Sequence, residues 1–300
     1  MSRHIVITGG TGFIGQALCR ALQKEGDQIT VFSRRSEEKV QALCGNVRCI
    51  DRLTALPGLG PIDAVINLAG EGIAEKRWTP ARKQALWDSR VGVTEELVAQ
   101  MKRCREAPGV LISGSAVGYY GDQGDLTVTE DTEPTDEFTH RMCAAWEKAA
   151  LQAQAHTRVC LSRTGLVVGR GGGFLQQMLL PFRMGLGGRL GAGTQYMPWI
   201  HRDDMVRGLI HLLEHEQLSG PFNLTAPEPV TNAEFSRTLA RVLGRPAFLP
   251  APAFALRILL GEMARLLLTG QKAIPQRLTE SGFEFHYESL EPALREATGQ

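Results

Sequence analysis

The run His4-Ile-Val-Ile-Thr-Gly-Gly-Thr-Gly-Phe-Ile-Gly15 constrains the fold more than any other part of the sequence. Ile5, Val6 and Ile7 make a β-branched core for a short buried strand. Gln16-Ala-Leu-Cys-Arg-Ala-Leu-Gln23 follows with its apolar residues at helical spacing. Between the two lie Gly9, Gly10, Gly12 and Gly15, which satisfy both G-x-G-x-x-G from Gly10 and G-x-x-G-x-x-G from Gly9. A strand, a glycine turn and a helix in that order form an anion cradle. The early glycines allow a tight turn and close backbone approach, the last lets helix pack on strand, and the helix N-terminal N–H groups meet a pyrophosphate. A glycine-rich turn without a ligand is the plainer alternative. All three elements in register favour a dinucleotide site contacted by Gly9, Gly10, Thr11, Gly12, Phe13, Ile14 and Gly15.

Gln28-Ile-Thr-Val-Phe-Ser33 reads as a second strand, which closes a β-α-β unit. A carboxylate at the end of that strand would hold the ribose 2′-hydroxyl of NAD. Here the strand end carries Ser33, Arg34 and Arg35. Guanidinium groups can fork onto a 2′-phosphate that a carboxylate would repel, so the pattern favours NADP over NAD. The alternative is two arginines that merely begin a solvated helix. Val47 to Ile50 is expected to be a third strand, with Asp51 either beside the adenine or capping a turn. Ala64-Val-Ile-Asn-Leu-Ala-Gly70 is a fourth strand running into small residues, where Asn67, Leu68, Ala69 and Gly70 would lie along a cofactor.

Composition narrows the remaining classes. The chain has 300 residues, 43% of them apolar, enough for one large α/β domain or a core domain with a smaller lobe. Thirty-three basic against 32 acidic residues leave a formal charge of +1, which makes no electrostatic case for nucleic acid or an acidic membrane. The longest apolar run, Ala251 to Leu268, is interrupted by Arg257, Glu262 and Arg265. It reads as an amphipathic helical region, packed on the lobe or on a second copy in a homodimer, and not as a membrane span. The six cysteines show no C-x-x-C spacing and suit reduced thiols, with no metal site. With the first strand starting at once, no leader is expected and the location is expected to be cytoplasmic.

Val110-Leu-Ile-Ser-Gly-Ser115 is a fifth strand ending in hydroxyls, which at the carboxyl end of a parallel strand would face a ligand crevice. Three stretches resemble the extended short-chain dehydrogenase/reductase family in the same order: Thr8 to Gly15, Asn67-Leu-Ala-Gly70 and Ser113-Gly-Ser-Ala-Val-Gly-Tyr-Tyr-Gly121. Trp199-Ile-His-Arg-Asp-Asp204 is similar to that family's downstream Ile-His-x-x-Asp signature, and the chain as a whole most resembles the atypical YfcH-like epimerase-family branch. The resemblance implies a Rossmann-type, doubly wound parallel α/β sheet with a smaller C-terminal substrate lobe. It also implies a nicotinamide cofactor, and a serine near the reacting carbonyl that maps onto Ser115. The expected division is residues 1–170 with 203–228 for the nucleotide domain, and 171–202 with 229–300 for the lobe.

The same family carries Tyr-x-x-x-Lys on the following helix, where the tyrosine exchanges a proton and the lysine lowers its pKa. Anchored on Glu147, those positions fall here on Thr139 and Cys143, and the pair is missing. Tyr119 and Tyr120, on the loop just after Ser115, could reach the crevice, and Tyr119 is the expected substitute proton donor; His140, His201 and Cys143 are further candidates, each of the five with a packing role as the alternative. The arginine that family members place four residues before the signature histidine, gripping a diphosphate, is Met197 here. Arg170, Arg183 and Arg189 could meet an anionic substrate or be solvated, and the glycines between Gly171 and Gly193 suggest a mobile lid. The reading is an NADP(H)-dependent oxidoreductase or epimerase-type enzyme acting on a small polar metabolite. The alternative is an NADP(H)-binding sensor without catalysis.

Overall fold

Ile5, Val6 and Ile7 are completely buried because the strand they form has a neighbour on either side and helices on both faces. The computed structural model describes residues 2–300. Its first half runs β1 (His4–Thr8), α1 (Phe13–Lys24), β2 (Gln28–Phe32), α2 (Glu37–Cys44), β3 (Arg48–Ile50), β4 (Ala64–Asn67), α3 (Pro80–Trp87), α4 (Val93–Met101), β5 (Val110–Ala116), β6 (Thr127–Val128) and α5 (Phe138–Leu151). Then follow β7 (Arg158–Thr164), β8 (Leu166–Val168), α6 (Gly173–Arg183), β9 (Tyr196–Met197), β10 (Trp199–His201), α7 (Arg202–Glu214) and β11 (Gly220–Leu224). The chain ends with β12 (Val230–Thr231), α8 (Asn232–Leu243), α9 (Ala253–Leu260), α10 (Arg265–Leu268), β13 (Lys272–Ala273), α11 (Gln276–Glu280) and α12 (Leu290–Thr298).

Seven strands make one sheet in the order β11-β7-β5-β4-β1-β2-β3, and every neighbouring pair is parallel. The order turns back at β1, with β2 on one side and β4 on the other. That is the switch point at whose carboxyl end such sheets bind ligands. The register there aligns Thr8 with Asn67 and Asn67 with Ser113. The sheet core includes Ile5, Ile7, Leu18, Leu22, Ile66, Met205 and Leu209; Leu278 and Phe283, from the C-terminal segment, join it. A second core gathers Leu175 and Phe182 of α6, Trp199 of β10, Phe235 and Leu239 of α8, and Leu294 of α12.

Thr79 caps α3 by accepting from the Arg82 N–H at 3.1 Å, and a π turn over Asp88–Gly92 joins α3 to α4. One expectation changes in detail. The stretch Ala251 to Leu268 is not one helix. Gly261, at φ +62°, ends α9, and a 3₁₀ turn over Gly261–Ala264 leads into α10.

Gly15 shows how tightly the first unit is built. A Cβ there would stand 2.4 Å from the Gly9 carbonyl oxygen and 2.6 Å from the Gly10 Cα, both backbone atoms that cannot swing aside. Gly15→Ala therefore loses more from overpacking, about 2 kcal/mol or more, than the roughly 1 kcal/mol that alanine gains over glycine inside a helix. Urea unfolding should show net destabilisation.

Candidate cofactor cradle and active site

The glycine turn and the end of β4 form one surface. Gly9 has φ +69°, and a Cβ on it would lie 2.3 Å from the Leu68 carbonyl oxygen. Gly12 occupies the N-cap of α1 and has no side chain to offer, so the leading N–H groups of the helix are left for an anion. The Gln16 side-chain amide donates to the Thr11 carbonyl at 2.9 Å and holds the loop in shape. Phe13 and Ile14 bring only backbone to the cradle. The Ile14 side chain packs on the sheet core, and the Phe13 ring fills the space beside Gly172 and Gly173, where a Gly172 Cβ would come within 2.4 Å of it.

Ser33 is buried at the end of β2, and its hydroxyl oxygen accepts from the Arg35 N–H at 3.1 Å. Arg34 and Arg35 are exposed, and among the described residues neither guanidinium has an ion-pair partner. Asp51 is also exposed. It pairs with its neighbour Arg52 at 3.2 Å, and that hydrogen bond holds its carboxyl below the usual range. Asn67 is completely buried. Its Oδ1 accepts from the Thr8 hydroxyl at 2.6 Å, and its Nδ2 donates to Thr94 at 2.8 Å and Ser113 at 3.3 Å. The side chain therefore bolts β1, β4, β5 and α4 together, and what it presents to a ligand is backbone. Leu68 and Ala69 are held beside it through the Thr8 carbonyl and hydroxyl, while the Arg90 guanidinium stands against Gly70.

Beyond the cradle, Ser115 ends up in a buried polar network. Its hydroxyl donates to Glu147 Oε1 at 2.7 Å. Arg163, on β7, grips the same carboxylate with two parallel bonds, Nε to Oε1 at 2.8 Å and Nη2 to Oε2 at 2.9 Å. Its remaining Nη1 donates to the Tyr120 hydroxyl and to the Glu130 carbonyl, each at 3.0 Å. Tyr120 in turn donates to Asn223 Oδ1 at 2.7 Å. Ser115, Glu147 and Arg163 are each at most 5% exposed. Burial works against the Arg163 charge, but the Glu147 carboxylate more than offsets it and keeps the guanidinium pKa above its ordinary value. Sequence reasoning used Glu147 only as an anchor and did not reach Arg163. The available signal was a charged residue inside the apolar strand Arg158–Arg163, since a parallel sheet covered on both faces demands a partner for it.

The other candidates separate clearly. Tyr119 is half-buried, with the Arg163 guanidinium 3.5 Å above its ring, and among the described residues its hydroxyl makes no hydrogen bond. His140 stacks edge-on against Tyr119 and donates from Nδ1 to the Tyr119 carbonyl at 2.7 Å, and among the described residues its Nε2 makes no hydrogen bond. Burial pushes the Tyr120 hydroxyl and the Cys143 thiol each up to about 12, and both stay protonated. His201 has no exposed surface. Its Nδ1 accepts from the Asp203 N–H and its Nε2 donates to Glu296, so it caps α7 from inside. Met197 is buried against Asn232, and Arg170 is tied to Glu296, while Arg183 and Arg189 are exposed. Within the segment expected to be a mobile lid, Gly187 and Gly188 are close-packed. A Cβ on Gly187 would meet the Phe182 ring at 2.5 Å, and one on Gly188 would meet the Leu249 carbonyl at 2.0 Å.

A parallel sheet with a glycine turn at its switch point defines a dinucleotide-binding protein of the Rossmann type. More specifically, the chain belongs to the NAD dependent epimerase/dehydratase family, whose model matches residues 5–225; a domain of unknown function matches residues 251–297. Among its relatives is epimerase family protein ML0860 of Mycobacterium leprae, 41% identical over 98% of this chain and 95% of that protein. Epimerase family protein YfhF of Bacillus subtilis is 39% identical over 97% and 96%. The crystal structure of human epimerase family protein SDR39U1 (isoform 2) with NADPH superposes with a TM-score of 0.91 at 36% identity, covering 99% of each chain.

The buried network yields a stability test. Glu147→Gln leaves the Arg163 guanidinium without a countercharge and should cost about 3–5 kcal/mol in urea unfolding. Replacing both partners, Glu147→Gln with Arg163→Met, should recover much of that loss. A single variant as stable as the parent would show that the pair carries no structural weight.

Proposed function

We propose that the chain is an NADP(H)-dependent oxidoreductase or epimerase-type enzyme acting on a small polar metabolite. The observation that carries the cofactor choice is the end of β2, where Ser33 is followed by two exposed guanidinium groups with no ion-pair partner among the described residues and no carboxylate. The human relative solved with NADPH supports the same choice. The cradle suits the group on steric grounds, because Gly9 and Gly15 stand where any Cβ would collide with backbone and the α1 N-terminus is uncapped by side chains. Gly9 to Gly15 would hold the pyrophosphate, and Ser33, Arg34 and Arg35 the 2′-phosphate. Asp51 and the backbone of Asn67, Leu68, Ala69 and Gly70 would lie along the remainder. When bound, the nicotinamide supplies or takes up a hydride.

On this reading Ser115 and Tyr119 are the reacting pair. Ser115 fixes the substrate oxygen, and its own hydroxyl is oriented by Glu147. Tyr119 handles the proton; its hydroxyl is free of internal partners where that of Tyr120 is held by Asn223. The substrate would enter between the sheet domain, residues 1–170 and 203–228, and the lobe built from 171–202 and 229–300. A second reading, an NADP(H) sensor without chemistry, is favoured by one observation: Thr139 and Cys143, at the positions of the reactive tyrosine and lysine, are both buried.

Fluorescence titration of the purified protein should give NADPH at least tenfold tighter binding than NADH, about 1.4 kcal/mol. Arg34→Ala with Arg35→Ala should remove that preference and leave NADH affinity unchanged; equal affinities in the parent protein would defeat the NADP assignment. Ser115→Ala should retain NADPH affinity. Transfer of deuteride from labelled NADPH to any carbonyl compound in a substrate screen, abolished by Ser115→Ala, separates the enzyme from the sensor.

A further inference from the structure

Among the described residues, ten large apolar side chains are exposed, and eight of them lie in two segments. Leu180, Met184 and Leu186 represent the first segment, and Phe254, Ile258 and Leu259 the second. The segments form one surface. Leu190 and Ala251 pair as a parallel bridge, the Ala251 N–H donates to the Arg189 carbonyl at 2.9 Å, and the Gly191 N–H donates to the Ala251 carbonyl at 2.9 Å. Helix α9 follows directly. Seven of its eight residues are apolar, none of them is fully buried, and Phe254, Ile258 and Leu259 are each about two-thirds exposed. A helix of that composition, left uncovered, marks an interaction site.

The charge on this surface selects the occupant. Residues 171–202 contain no aspartate or glutamate, and neither do residues 235–261. Arg183, Arg189, Arg245 and Arg257 are exposed there, and among the described residues their guanidinium groups have no ion-pair partner. The overall charge of +1 conceals this local excess. A second copy docked through the same face would bring like charges together across a two-fold axis and supply no carboxylate to relieve them. An anionic bilayer satisfies both features at once: apolar side chains enter the boundary of headgroups and acyl chains, and the arginines stay among the phosphates.

We propose that α9 and the adjoining end of α6 form a peripheral docking site for an anionic lipid bilayer. The chain lies on the membrane through this face. Among the described residues no helix is long and apolar enough to cross it.

The test is co-sedimentation of the purified full-length protein with vesicles of phosphatidylcholine containing phosphatidylglycerol, and with vesicles of phosphatidylcholine alone. The protein should sediment with the anionic vesicles only, and molar salt should release it. Phe254→Ser with Ile258→Ser should abolish sedimentation, and Arg245→Gln with Arg257→Gln should weaken it about fivefold per arginine. NADPH affinity should be unchanged in both variants, which establishes that they are folded. Absence of vesicle binding in the parent protein overturns the proposal, as does equal binding to both vesicle types. A concentration-dependent dimer in the ultracentrifuge, lost in the Phe254→Ser, Ile258→Ser variant and unaccompanied by vesicle binding, overturns it in favour of a second copy.

Discussion

A single buried charge sets the geometry beside the nucleotide crevice. Arg163 lies on β7, between β5 and β11, and only 4% of it is exposed. Removing an ion from water costs several kcal/mol unless geometry and hydrogen bonding compensate almost completely. Glu147 compensates with both carboxylate oxygens, and the Tyr120 hydroxyl and the Glu130 carbonyl take what remains. Each partner belongs to a different piece of chain. Meeting the needs of one guanidinium therefore fixes α5 against the sheet, seats the two tyrosines after β5, and through Tyr120 reaches Asn223 on β11. The Ser115 hydroxyl is oriented as a consequence, because its acceptor is the same carboxylate.

At the switch point a neutral version of the same device operates. Thr8, Asn67 and Ser113 stand level on three neighbouring strands and are joined by side-chain bonds, with Asn67 using both ends of its amide. Buried polar groups tolerate no vacancy, so the strand ends cannot slide against one another without stranding a donor or an acceptor. The glycine turn then rests on the Leu68 carbonyl, close enough that no Cβ fits between. The shape of the cradle thus follows from hydrogen bonding behind it as much as from its glycines.

How much of this was legible in the sequence depends on the distance over which each cause acts. The glycine turn and the first strands could be read because glycine tolerance and β-branching act within a few residues. Asn67 could be placed at a strand end, but not given its bonds, since its partners Thr8 and Ser113 are 59 and 46 residues away. Glu147 and Arg163 are only 16 apart, yet they meet across a helix and a strand whose packing no local pattern states. The glycines between Gly171 and Gly193 were ambiguous for a related reason. Glycine serves motion and close packing alike, and Phe13, Phe182 and Leu249 show that Gly172, Gly173, Gly187 and Gly188 serve packing. Ala251 to Leu268 has the composition of an amphipathic helix, but Gly261 breaks it and leaves its first part without a core to join.

The missing tyrosine and lysine change what Ser115 can do. A serine beside a carbonyl normally donates to it, and a serine has one proton. Here that proton points to a carboxylate that can only accept. An approaching group therefore meets the Ser115 oxygen as a lone pair, which suits a substrate hydroxyl better than a carbonyl. The proton that an alcohol gives up on oxidation and a carbonyl takes up on reduction passes through one and the same group, because the forward and reverse reactions share a transition state. On the proposed reading that group is Tyr119, its hydroxyl without a hydrogen bond among the described residues and its ring beneath the Arg163 guanidinium. The Ser115 oxygen, its own proton engaged by Glu147, positions the substrate oxygen and supplies no proton in either direction.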